Sequence, residues 1–159
     1  MGLLKPAAIA AVAFIVGFGV SSFAGLSVPG LGTSAESEDP KVKQLLEQRV
    51  AFLNRVQKGL TDYSTRNGNY PTTNRKYADV EKLLGFMKSK GVSIEIPQNL
   101  QKDLHRYVSD GKGYKFVNVG TGDCHLARKL YPAMVDQKRA YGPVDCFSYG
   151  VWTTSAADW

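Results

Sequence analysis

The sequence predicts an α+β domain, in which one long amphipathic helix packs on a small, mostly antiparallel sheet. Apolar residues recur at helical spacing from Lys41 to about Arg66. Two later stretches, 113–120 and 146–154, alternate apolar and polar side chains as strands do. The roughly 120 residues from Pro40 onward are enough for one hydrophobic core. We therefore predict a single folded domain over 40–159, preceded by an apolar segment and a linker.

The apolar segment covers residues 1–26 and carries Lys5 as its only charged side chain. Its apolar stretch of about 20 residues matches the roughly 30 Å hydrocarbon core of a bilayer. It also fits a cleavable signal peptide, because Ser22 and Ala24 are small residues of the kind that precede a cleavage site. Both readings keep the positive end inside the cell and export the rest of the chain.

A stripe of small residues favours the membrane anchor over the signal peptide. The stripe recurs every four residues and would let membrane helices approach closely. It consists of Ala13, Gly17, Ser21 and Gly25. We therefore expect a single-pass inner-membrane protein with its domain in the periplasm or at the cell surface. If the chain is instead cleaved after Ala24, we expect a secreted or periplasmic protein.

Residues 27–39 are rich in Gly, Ser and acidic side chains, and they are predicted to form a flexible linker. Asp39 followed by Pro40 is a typical helix start. The apolar face of the helix that follows is formed by Val42, Leu45, Leu46, Phe52, Leu53, Val56, Leu60 and Tyr63. Arg49, Lys58 and Asp62 are predicted to lie off this face.

The helix is predicted to end at Asn67-Gly68, because glycine tolerates the left-handed conformation that closes a helix. Tyr70-Pro71 follows, and proline cannot continue a helix. The predicted elements beyond this point are a helix at 78–90 closed by Gly91, a strand at 92–97, a strand at 113–120, a helix at 124–140 broken at Pro132, a turn at 141–145 and a strand at 146–154. Residues 99–109 are ambiguous, although their apolar spacing fits a helix.

The two cysteines, Cys124 and Cys146, are predicted to form a disulfide, because an even count in an exported domain indicates one bridge. Such a bridge would stabilise the domain by about 3 kcal/mol. Two alternatives are a nucleophile and base formed by Cys124-His125, and a metal site that also uses His105. Adjacent residues point in different directions, and the ligand spacings are unrelated, so both alternatives are disfavoured.

The net charge is +6, and residues 41–159 carry 19 Lys/Arg against 11 Asp/Glu, a net charge of +8. A basic domain can bind an anionic ligand such as DNA or an acidic glycan. Here the cations are scattered singly or in pairs, as on an ordinary solvated surface. The residues that we expect to form an interaction surface are Arg128, Lys129, Lys138, Arg139 and Trp159.

The order of these features resembles that of type IV pilins and type II secretion pseudopilins. The resemblance lies in the apolar start, the long helix, the turn that contains Asn67, Gly68, Tyr70 and Pro71, and the C-terminal cysteine pair. It implies a structural subunit whose partners are the other subunits of an envelope or filament assembly. The chain differs from that family in lacking the prepilin peptidase motif, since no acidic residue precedes Glu36.

Three functions are compatible with these features. The first is a membrane-tethered, pilin-like subunit that acts by protein–protein contacts, and the alternative is an exported binding module for an anionic ligand. An enzyme is disfavoured, because the two histidines and the candidate acids have no spacing typical of hydrolysis or metal catalysis. These acids are Asp103, Asp110, Asp123, Asp136 and Asp145. Asp123 is predicted to be a helix N-cap, and no cofactor, metal or small-molecule substrate is predicted.

Overall fold

The computed structural model describes residues 39–139, without the side chain of residue 139, and residues 146–159. The fold is α+β, with a three-stranded antiparallel sheet in the order β1-β2-β3. Its elements are α1 (Pro40–Asn67), α2 (Val80–Ser89), β1 (Leu104–Ser109), β2 (Tyr114–Val119), α3 (Cys124–Leu130) and β3 (Ser148–Trp152), with short 3-10 helices at Gln98–Leu100, Pro132–Met134, Gln137–Arg139 and Thr154–Ala156.

Several predictions concern residues outside the described part of the chain. They are the anchor or signal segment 1–26 with its stripe of Ala13, Gly17, Ser21 and Gly25, the linker up to residue 38, and the turn at 141–145. Among the residues that are described, none of the helices has both the length and the apolar character needed to cross a bilayer.

The long helix α1 begins and ends where the sequence predicts. At its start, a carboxylate oxygen of Asp39 accepts a hydrogen bond from the N–H of Lys41 at 2.9 Å, and Pro40 occupies the first turn. At its end, Gly68 has a φ of 77°, and its N–H donates to the carbonyl of Ser64 at 2.8 Å. Glycine adopts this left-handed conformation without steric cost, so α1 stops here.

The chain after α1 is bonded to the sheet at once. The N–H of Tyr70 donates to the carbonyl of Gly111 at 2.8 Å, in the turn between β1 and β2. The carbonyl of Pro71 accepts a hydrogen bond from the Tyr107 hydroxyl at 2.8 Å. The rings of Tyr70 and Tyr114 pack with centroids 4.7 Å apart. The Tyr-Pro sequence therefore joins the end of the helix to the hairpin.

The hydrophobic core lies between α1 and one face of the sheet. The fully buried side chains from α1 are Leu46, Phe52, Leu53, Val56 and Leu60, and those from the sheet are Tyr107, Phe116 and Tyr149. The rings of Phe52 and Phe116 meet edge to face, with centroids 6.1 Å apart. Burial of this apolar surface is the main term that favours folding.

The opposite face of the sheet is also covered, because β2 buries side chains on both sides. Lys115 of β2 is only 1% exposed, and its ammonium group donates to Asp136 Oδ1 at 2.9 Å. It also donates to the carbonyl oxygens of Ala157 and Trp159 at 3.1 and 3.0 Å. A buried cation is stable only when its donors are satisfied, so Lys115 holds the last residues of the chain against the sheet.

The structure differs from the sequence-based expectation in two stretches. The region 99–109 is not a helix, because Leu104–Ser109 pairs with β2 as strand β1, in a register that places Tyr107 opposite Phe116. The segment 92–97 is extended but does not belong to the sheet. Part of the outer edge of β1 is instead bonded to the chain after α1, where the N–H groups of Thr73 and Ala78 donate to β1 carbonyls.

Replacing Gly150 by alanine is expected to lower the free energy of unfolding strongly. A Cβ atom at Gly150 would lie 2.0 Å from the main-chain oxygen of Phe116, and backbone cannot move aside cheaply. We expect a loss of about 3 kcal/mol or more. Chemical denaturation of the purified protein measures it.

The matched control is Gly85→Ala on α2, where an added Cβ meets no atom within 4 Å. We expect this variant to gain up to about 1 kcal/mol from helix propensity. Equal effects of the two substitutions would contradict the packing described for β3.

The free energy of unfolding is expected to fall as the pH rises above about 10, the usual pKa of tyrosine. Burial raises the pKa of Tyr107, Tyr114 and Tyr149 in the folded state. In this pH range the unfolded chain loses tyrosine protons that the folded chain retains, so the stability contributed by these protons is present below pH 10 and lost above it.

Denaturant titrations between pH 9 and pH 11.5, with tyrosinate absorbance as a second readout, test this dependence. Tyr114→Phe should flatten the alkaline slope. A wild-type slope that the substitution leaves unchanged would show that burial of this hydroxyl does not produce the effect.

Candidate interaction surface

A buried ion-pair network fixes α1 to the rest of the domain. The guanidinium of Arg49 binds Asp103 through two bonds, Nε to Oδ2 at 2.7 Å and Nη2 to Oδ1 at 2.8 Å. Its Nη1 donates to Asp123 Oδ2 at 2.7 Å. The Tyr149 hydroxyl lies 3.1 Å from both oxygens of Asp123. The loop before β1, the start of α3 and strand β3 are thus connected through one side chain of α1.

The network corrects two predictions. Arg49 was predicted to lie off the apolar face of α1, but it is only 6% exposed. Burial opposes its charge, but the hydrogen bonds to Asp103 and Asp123 outweigh this, so the pKa of Arg49 is raised above its usual value. Asp123 stands at the start of α3, but its carboxylate binds Arg49 and Tyr149 and does not cap the helix. The sequence signal for burial was the spacing of Arg49 between Leu46 and Leu53.

A groove of about 1000 Å³ runs between the C-terminal half of α1 and the extended chain that follows α2. Its α1 wall carries the charged side chains Arg55, Lys58, Asp62 and Arg66. At Gly59 the two walls touch, because a Cβ atom there would lie 2.3 Å from Ile94 Cδ1. Glycine is therefore needed for this close approach of the extended segment to the helix.

The opposite wall is the segment 92–97, which has the side-chain alternation of a strand. Val92 is buried, and Ile94 and Ile96 pack against the core, while Ser93 and Glu95 are exposed. Within the described part of the chain, no backbone hydrogen bond is formed by residues 93–96. The groove is thus bordered by a segment whose backbone polar groups have no backbone partner among the described residues.

A smaller cavity of about 440 Å³ lies between the end of α1, the turn that follows it and α2. Tyr63, Tyr70 and Phe86 supply aromatic walls, and Lys82 and Asp79 lie among its polar lining. The rings of Tyr63 and Phe86 have centroids 5.9 Å apart, and Phe86 remains 44% exposed. The turn after α1 therefore forms one wall of an open aromatic cavity.

Cys124 and Cys146 form the predicted disulfide, with Cα atoms 5.4 Å apart. The residues predicted to form the interaction surface lie in two places. Arg128 and Lys129 are exposed in the last turn of α3.

The other predicted surface residues lie near the end of the chain, away from the groove described above. The ammonium group of Lys138 is 3.3 Å from Asp158 Oδ1, and the side chain of Arg139 is outside the described part. Trp159 is half-buried, with the Arg75 guanidinium 5.1 Å from its ring centroid. The structure therefore places Lys138 beside Asp158 and Trp159 beside Arg75, and Lys115 bonds the carbonyl of Trp159 to the sheet.

Four of the five aspartates considered as catalytic candidates form ion pairs. Asp103 and Asp123 bind Arg49, Asp110 binds Arg75, and Asp136 binds Lys115. Asp145 lies outside the described residues. Within residues 39–139 and 146–159, no three His, Cys, Asp or Glu side chains are placed to hold a metal ion together.

Comparison with protein-family models, with curated proteins and with solved structures finds no match to this chain.

Replacing Arg49 by methionine is expected to lower the free energy of unfolding by about 3–5 kcal/mol, because two buried carboxylates lose their cation. Chemical denaturation at neutral pH measures the change. Arg55→Met on the exposed side of the same helix is the matched control, with an expected change within about 0.5 kcal/mol. The triple variant Arg49→Met, Asp103→Asn, Asp123→Asn should recover part of the loss. A loss at Arg49 no larger than at Arg55 would contradict the described network.

Proposed function

We propose that this chain is a membrane-tethered, pilin-like structural subunit of a bacterial envelope assembly, such as a pilus or a secretion machine, and that it acts through protein–protein contacts. The observation that carries the proposal is the one-sided packing of α1. This helix of 28 residues is about 42 Å long, and the domain covers only one of its faces. Among the described residues, nothing covers the other face of the helix, and this face could contact neighbouring subunits.

The domain is well suited to presenting a fixed surface. The Arg49 network sets the position of α1 on the sheet, and the Cys124–Cys146 bridge ties α3 to the chain just before β3. Surfaces that are ordered before binding lose less conformational entropy when a partner docks. This rigidity supports a role as a subunit that is recognised by its shape.

The exposed face of α1 has the mixed character of a contact surface. Val42 is 41% exposed near the start of the helix, and exposed polar side chains such as Gln44 and Asn54 follow along it. Recognition surfaces of non-obligate complexes are about as apolar as the rest of a protein surface. The helix therefore offers contacts without the large apolar patch that would cause aggregation.

The charge pattern beside α1 favours a protein partner over a polyanion. Arg55, Lys58 and Arg66 line the groove together with Asp62 and Glu95, so both signs are present. DNA and acidic glycans are bound by surfaces of mainly positive sign. An anionic ligand remains the alternative function, supported by the net charge of +8 over residues 41–159.

Site-specific photocrosslinking in the cells that produce the protein tests the proposal. A photoreactive residue in place of Gln44 or Asn54, on the exposed face of α1, should give adducts of higher mass in the membrane fraction. The same residue in place of Lys112, in the exposed turn between β1 and β2, is the positional control and should give few adducts.

Two outcomes would count against this function. If neither helix position gives adducts and the protein fractionates as soluble, the tethered subunit is refuted. If adducts are absent and retention of the purified protein on heparin falls steeply between low and moderate salt, the anionic-ligand alternative is favoured, because phosphate or sulfate contacts release counterions.

A further inference from the structure

The segment 92–97 has the side-chain pattern of a β-strand but lies outside the sheet. We propose that it accepts an extended, acidic segment of another protein as an added β-strand, which lies in the groove beside α1. This inference rests on the proposed function, because it specifies the partner chemistry of one protein–protein contact.

The backbone of residues 93–96 has no hydrogen-bond partner in the described part of the chain. Backbone N–H and C=O groups require hydrogen-bond partners, and those of residues 93–96 are not paired with any described residue. The segment is only partly exposed, since Ile94 and Ile96 are half-buried. A strand laid alongside would satisfy the outward groups through main-chain bonds, as in known cases of strand addition.

The segment is also held in place at both ends and on one face. Val92, Ile94 and Ile96 point to the core, and the N–H of Val92 donates to the carbonyl of Met87 at 3.0 Å. At the other end, the carbonyl of Pro97 accepts from the N–H of Leu100 at 2.8 Å. Because both ends and one face are fixed, an added strand would need little further ordering of this segment.

The groove beside the segment is large enough for an added strand. The groove of about 1000 Å³ is open along its length and is bordered by α1 on one side and by residues 91–98 on the other. This volume lies at the upper end of the range for ligand sites in proteins. At the bottom of the groove, the backbone of Gly59 packs closely against the side chain of Ile94.

The charges on the α1 wall define the chemistry of the occupant. Within the described residues, Arg55 has no carboxylate partner, and its guanidinium lies 6.0 Å from the ring centroid of Phe52. Arg66 uses one nitrogen to reach the carbonyl of Gly91 at 3.3 Å, while Lys58 pairs with Asp62. Two arginines can therefore bind carboxylates of an incoming chain.

A second copy of this chain fits the site less well than an acidic partner does. Two domains that each carry +8 over residues 41–159 repel each other, whereas an acidic partner is attracted.

The test uses amide NMR shifts of the isotope-labelled full chain in detergent micelles, titrated with the synthetic peptide acetyl-TVEVEVT-amide. We expect saturable shifts that are largest at residues 93–96 and at Gly59. The basic peptide acetyl-TVKVKVT-amide, and a fully N-methylated acidic peptide that offers no N–H donors, should each bind at least about fivefold more weakly.

Two charge-reversal variants identify the α1 wall. Arg55→Glu should weaken binding of the acidic peptide at least about fivefold, since a carboxylate contact is lost and replaced by repulsion. Lys43→Glu, which makes the same charge change on an exposed position of the same helix three turns away, is the matched control and should leave the affinity unchanged. Equal effects of the two would refute a local contact.

Other outcomes overturn the inference in distinguishable ways. Equal binding of the N-methylated peptide would mean attraction by charge alone, and shifts centred on Phe86 would place the peptide in the aromatic cavity. Shifts at 93–96 that grow with protein concentration in the absence of peptide would identify a second copy as the occupant. If no saturable shifts are seen but the photocrosslinks from α1 are observed, strand addition is refuted and the proposed function is not. If the shifts and the photocrosslinks are both absent, the proposed function is refuted as well.

Discussion

The position of α1 on the sheet depends on one guanidinium. Apolar packing holds the helix against the strands, but it is not directional. By itself it does not prevent α1 from sliding along the sheet or rotating about its own axis. Arg49 binds Asp103, which lies 54 positions later in the chain, and Asp123, which lies 74 positions later. All three of these hydrogen bonds are directional. Because Cys124 follows Asp123 directly, the same contact also positions the disulfide. We therefore regard this network as the element that selects one arrangement of the core, in addition to any net stability that it provides.

The sequence predicted those elements whose signals are local. The start and end of α1 follow from Asp39, Pro40 and Gly68, and β2 follows from the largely alternating residues 113–120. The errors arose where the answer depends on neighbours in space. Arg49 was placed outside because a charge is usually solvated, although its helical spacing matched the apolar face. The region 99–109 fits helical spacing, and only pairing with β2 makes it a strand. The segment 92–97 alternates correctly, but the sequence does not say whether a neighbouring strand exists.

The interaction surface was the least predictable part. We expected it among the cations near the disulfide and at Trp159. In the structure, the ammonium group of Lys115 instead donates a hydrogen bond to the carbonyl of Trp159 and fixes this residue against the sheet. The groove beside α1 became visible only in three dimensions, because it is formed by residues 55–66 and 91–101. We propose that the rigid helix and sheet present two surfaces to other proteins of an assembly. These are the exposed face of α1 and the segment 92–97, in which residues 93–96 form no backbone hydrogen bond with a described residue.

The measurement that tests the central claim most directly is the intact mass, under non-reducing conditions, of the protein recovered from membrane and soluble fractions of its own cells. A tethered subunit predicts a chain that begins at Met1 or Gly2, is two hydrogens lighter than the reduced form, and is found in the membrane fraction. A chain that begins at Gly25 and is found in the soluble fraction would contradict the tether, and it would make a soluble exported binding protein the better account.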